Sequence, residues 1–161
     1  VAHLAGELME SLTGVDMIHV PYKGASLMVN DVLAGQGTMS FAGTVTALPH
    51  VKSGRLRALG VTTPKRAASL PDIPSIAETI PGYDVSPWYG VLVPAATPKP
   101  IIAKLATEIN RITGMSDVSS KLQSDGGDIV SAGPEAFQSM ITKERAKWAK
   151  LVKDAGIKLE Q

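Results

Sequence analysis

His19-Val20-Pro21-Tyr22-Lys23-Gly24-Ala25 is the stretch that decides the fold. Residues through Tyr22 favour an extended strand, Gly24 interrupts it, and Met28, Val29, Val32 and Leu33 then recur at helical spacing. A strand running straight into a helix aims that helix's unpaired N–H groups and positive dipole end at the space beyond the strand. Small anions, carboxylates among them, sit well there. The Walker pattern GxxxxGK[ST] is absent, which argues against a nucleotide. Two alternatives stay open from these residues alone: an anion site at Gly24, Ala25 and Ser26, or an ordinary strand-to-helix turn with Ser26 as N-cap.

Outward from this run the chain alternates. Leu4, Leu8 and Leu12 place a helix over 1–13, closed by Gly14. Strand 17–22, a helix near 26–34, strand 38–42, a helix around 44–53 and strand 56–62 follow. Strands separated by helices of about ten residues predict an α/β fold with βαβ crossovers and a parallel sheet. Ligands in such sheets bind beyond the carboxyl ends of the strands. Here those ends are Gly24-Ala25-Ser26, Ala42-Gly43-Thr44 and Thr62-Thr63. Gly43 gives close backbone approach, and Thr44 offers a hydroxyl or a cap.

The texture changes at residue 64. Pro64, Pro71, Pro74, Pro81 and Pro87 crowd one segment, with a helical turn at 75–79 as its only regular element. That punctuation predicts a semi-rigid crossover between two bodies, the second physically separate beyond about residue 88. In the second body Trp88–Val93 reads as a buried strand, with Trp88 and Tyr89 either in its core, the commoner role for such residues, or at the mouth of a cleft between the bodies. Thr97-Pro98 predicts an N-cap and first-turn proline for a helix ending near Gly114. A short helix spans 117–124, Gly126-Gly127-Asp128 is a turn, Ile129-Val130 an edge strand, and Pro134 opens a long last helix ending near Gly156.

Composition narrows the function. The 161 residues are 44% hydrophobic and 19% charged, as in an ordinary folded domain. Sixteen basic residues against fifteen acidic ones are spread thinly, so no nucleic-acid partner is expected. No apolar run reaches the roughly 20 residues of a membrane span, so the protein is not expected to be membrane-embedded. Without cysteine there is neither thiol catalysis nor a thiolate metal site. His3, His19 and His50 lack ligand spacing, so no metal is expected; no GxSxG elbow is present for a serine hydrolase. The chain opens at Val1 inside an apparent helix with no cap, which points to a fragment of a longer protein.

The pieces also carry a resemblance. His3-Leu4-Ala5-Gly6-Glu7-Leu8-Met9, His19 through Gly24, Leu48 through Thr62, Leu70-Pro71-Asp72-Ile73-Pro74-Ser75 with Glu78, Pro81-Gly82-Tyr83, Trp88-Tyr89-Gly90-Val91, Pro94 through Pro98 and Trp148 with Ala155-Gly156-Ile157 follow in order. Together they resemble the Bug/TctC family, the extracytoplasmic solute receptors of tripartite tricarboxylate transporters. The resemblance implies a periplasmic-binding-protein-like fold of two α/β lobes with ligand between them. It implies residues 1–65 as most of the second lobe, 66–87 as crossover and hinge, and 88–161 as the returning part of the first lobe.

The implied function is non-enzymatic and needs no cofactor: a periplasmic receptor capturing a small organic mono- or dicarboxylate and delivering it to membrane transporter subunits. Gly24, Ala25, Ser26, Ala42, Gly43 and Thr44 are the ligand-binding candidates on this chain, with no catalytic and no metal residues. Many members carry Asp where this chain has Ala42, which disfavours an amino-acid ligand. Two other classes stay open: a small α/β enzyme acting on an anionic substrate, although no nucleophile–base pair can be assembled, and the effector-binding part of a regulator.

Overall fold

Each helix expected from apolar periodicity forms within a residue or two of its expected ends. The computed structural model describes residues 1–157. Among these described residues six α-helices run in chain order: α1 Ala2–Thr13, α2 Ala25–Leu33, α3 Thr44–Lys52, α4 Lys99–Thr113, α5 Ser116–Ser124 and α6 Pro134–Asp154. A single 3₁₀ turn, Ile76–Glu78, sits in the proline-rich segment. Gly14 ends α1 in the left-handed region (φ 71°), its N–H reaching Glu10 O at 2.8 Å. Pro98 occupies the cap position of α4 that was expected for Thr97, with Pro100 in the first turn. The last four residues of the 88–161 unit, 158–161, lie outside the described residues.

The strand segments behave differently. Residues 17–22, 38–42, 88–93 and 129–130 run without helix and without a ladder between them among the described residues. One parallel bridge, Val61 with Ser75, is the isolated β-pairing present there. A strand needs a neighbour at about 4.8 Å to exist as one. The run 56–62 finds its neighbour in the proline-rich segment instead of in another strand. Val61 N–H donates to Pro74 O at 2.9 Å, Ile76 N–H to Val61 O at 3.0 Å, and Val85 N–H to Thr62 O at 2.8 Å. Ser75 Oγ donates to Thr63 O at 2.5 Å.

The crossover is therefore laced to residues 61–63 along two sides. Its own turn is closed by a capping box: Ser75 Oγ accepts from Ala77 N–H while Glu78 accepts from Ser75 N–H at 2.9 Å. Arg66 grips both Glu78 oxygens, at 2.8 and 2.9 Å. The guanidinium above all, then the Ser75 N–H, pulls the Glu78 carboxyl down to about 2.

A small core sits where this segment meets two helices. Ala5, Tyr83 and Val85 are buried, packed by Leu8, Met9, Phe41, Ile76, Ile80 and Trp148. Tyr83 Oη donates to Ala5 O at 3.0 Å across 78 residues of chain. The second half of α6 lies on α1 with Leu151 buried, and Lys147 Nζ stands 3.3 Å from Asp84 on the crossover. α6 thus rejoins the first part of the chain, so the part beyond residue 88 is not physically separate as expected. Amphipathic periodicity shows that α6 has an apolar face but not which body that face meets.

Trp88 packs edge-to-face on Phe137 of α6, ring centroids 5.2 Å apart. Tyr89 is fully exposed and Trp88 is 41% exposed, so neither is the core residue its size predicted and 88–93 is not a buried strand. Ile18, Val20, Leu59, Val91 and Leu92 are also more than half exposed. The accessible surface is 11,681 Å², about half again the roughly 7,700 Å² expected of a closed monomer of this mass. Apolar side chains of the strand segments, together with Leu27, Val45 and Ile101 on the helices, lie uncovered.

Candidate functional site

Both small-residue turns open helices. Gly24 caps α2 with extended backbone, and Gly43 caps α3 (φ −65°, ψ 144°). Ser26, expected as a cap, is the second helical residue of α2, and no side chain caps either helix. In α2 the first intrahelical bond is the long one from Met28 N–H to Gly24 O, 3.4 Å. The N–H groups of Ala25, Ser26 and Leu27 have no partner among the described residues. In α3, Thr46 and Ala47 N–H both reach Gly43 O at 3.0 Å, which leaves those of Thr44 and Val45 without a partner among the described residues. A Cβ added at Gly24 or Gly43 would meet no atom within 4 Å, so both turns face open space.

Gly24, Ala25 and Ser26 are exposed; Ala42 and Thr44 are half-buried beside the exposed Gly43. Helices α2 and α3 pack on each other. Two grooves of about 260 and 250 Å³ lie elsewhere, the first between α1 and the end of α6, the second between α3 and the end of α5. Neither is lined by residues of both turns.

The extended segment leading to Gly24 is held by contacts that periodicity does not show. Tyr22 Oη donates to Asp31 on α2 at 2.9 Å, and this bond raises the Tyr22 phenol above its ordinary range. Met17 N–H donates to Glu10 at 2.6 Å, and the His3 and His19 rings stack at 3.9 Å. An aromatic hydroxyl nine residues ahead of a carboxylate, astride a strand-to-helix turn, was the available signal for the first of these. Among the described residues no group of three or more His, Asp or Glu side chains is placed to hold a metal. No helix there is long and apolar enough to cross a membrane.

Comparison with known proteins gives this geometry a context. The model of the tripartite tricarboxylate transporter family receptor matches residues 1–157. A Pseudomonas protein described as the UPF0065 protein in the tcbD–tcbE intergenic region is 35% identical over 93% of this chain. The chain covers 45% of that relative, so it spans about half the relative's length. Among solved structures, R. palustris Rpa4515 with adipate superposes with a TM-score of 0.86 at 34% identity, covering 97% of this chain and 52% of that one. The periplasmic binding protein BugD superposes at 0.83 with 30% identity, covering 99% and 55%. The fold is therefore of the periplasmic-binding-protein type. The chain belongs to the tripartite tricarboxylate transporter receptor family.

Proposed function

We propose that this chain supplies one wall of the ligand cleft of a periplasmic receptor for a small organic carboxylate, which it passes to the membrane subunits of a tripartite transporter. The observation that carries this is the first turn of α2: exposed, uncapped, with three N–H groups unpaired among the described residues, in a family with a solved relative holding adipate. A helix N-terminus of that kind stabilises a carboxylate by its dipole and by direct donors, without catalysis. Residues 1–65 act as the ligand lobe, 66–87 as the hinge, and 88–161 as the returning part of the other lobe, of which α6 reaches back onto α1. The bare strand faces are covered in the full-length receptor by its remaining half.

Ser26 and Thr44 each add one hydroxyl donor. Isothermal titration of the full-length protein with adipate tests the assignment. Ser26→Ala and Thr44→Ala should each weaken binding about fivefold, the equivalent of a hydrogen bond of about 1 kcal/mol. Unchanged affinity in both variants would refute the site.

A further inference from the structure

The turn after α5 touches the candidate site, and nothing in its sequence announced that. Gly126 N–H donates to Gln123 O at 2.9 Å and Gly127 N–H to Leu122 O at 2.9 Å, closing the helix on a left-handed residue at Gly126 (φ 84°). A Cβ at Gly126 would collide with Thr44 Cγ2, and would stand 2.7 Å from Thr44 Cβ and 3.3 Å from its Oγ1. Real Cβ atoms do not come that close, and neither partner yields readily. Thr44 is β-branched and stiff at χ1, and it is the first residue of α3, whose next turn is already tied to Gly43. On the other side, the Gly126 turn is fixed by its two hydrogen bonds. The approach continues along α3, where Ser124 and Asp125 share a groove with Val45, Leu48, Pro49 and Lys52.

We propose that Gly126 is a positioning residue: by having no side chain, it sets where Thr44, and with it the first turn of α3, stands. The contact joins positions 82 residues apart, one on each side of the proline-rich segment. This inference rests on the proposed site for its consequence in binding, but not for the contact itself. A side chain at 126 pushes the Thr44 hydroxyl and the N–H groups of Thr44 and Val45 out of place.

The competing explanation is that position 126 requires glycine only for its φ. Gly82 separates the two: its φ is 87°, yet an added Cβ there meets nothing within 4 Å. In the full-length protein, Gly126→Ala should weaken adipate binding at least tenfold, whereas Gly82→Ala changes it less than twofold. Thr44→Ser keeps the hydroxyl and removes the nearest collision, that of Cγ2, leaving the Cβ contact at 2.7 Å, so adding it to Gly126→Ala should recover part of the loss, at least twofold. Equal effects of the two glycine substitutions, or no recovery in the double variant, would overturn the proposal.

Urea unfolding without ligand provides the second arm. Gly126→Ala and Thr44→Ser should be non-additive by at least threefold in the unfolding equilibrium constant. Additivity there overturns the proposal. Non-additivity in a protein that binds no adipate upholds the contact and sinks the site instead.

Discussion

Replacing Tyr83 probes the contact on which the small core depends. Tyr83 is 1% exposed, and its hydroxyl donates to Ala5 O at 3.0 Å, tying the proline-rich segment to α1. Tyr83→Phe keeps the ring and removes that one hydrogen bond, a loss of about 1 kcal/mol. Tyr83→Ala also empties the space beneath Val85, Phe41 and Trp148, and large aromatic truncations in a core cost about 3–5 kcal/mol. Set against a total stability of about 5–15 kcal/mol, the second is a large share.

The same residue predicts an alkaline limit. Burial pushes the Tyr83 phenol up to about 12 from an ordinary 10, so the neutral form is favoured in the folded state. Its contribution is fully present below pH 10 and is lost as the pH climbs from 10 towards 12; Tyr83→Phe should remove that loss. Urea denaturation of the full-length protein at pH 7 and along an alkaline series, followed by circular dichroism, measures both effects. Tyr83→Ala costing under about 1 kcal/mol, or Tyr83→Phe costing as much as Tyr83→Ala, would refute the role assigned to this contact.

Two further outcomes come from the same chemistry. The Glu78 carboxyl is held down to about 2 by Arg66 and the Ser75 N–H, so its stabilising share is present above pH 4.5 and disappears as the pH falls from there towards 2; Glu78→Gln should flatten the acid limb of stability against pH. With Ala42 offering no carboxylate at the turn before α3, an α-ammonium at the turns would sit unpaired against a helix N-terminus. Succinate should therefore bind the full-length receptor more tightly than aspartate, and the reverse order in a calorimetric titration would contradict the assignment.

Local physics made the helices legible. Leu4, Leu8 and Leu12 ahead of Gly14, Pro134 opening α6, and Ser75 three residues before Glu78 are each decided within one or two turns of chain, where spacing and capping act. The two glycine turns at the starts of α2 and α3 were legible for the same reason, and the ordered run of motifs carried the family. Pairing and packing were not. Residues 56–62 show that they can be extended, but only the fold chooses Pro74–Ile76 and Val85 as the neighbours of Val61 and Thr62. Tyr89 and Trp88 are adjacent aromatics of equal promise, yet one packs on Phe137 and the other faces solvent. The descent of α6 onto α1 and the seating of Gly126 against Thr44 join residues far apart in the chain. Sequence periodicity records which face of an element is apolar; which surface meets it depends on long-range closure, and that is decided only by the folded chain as a whole.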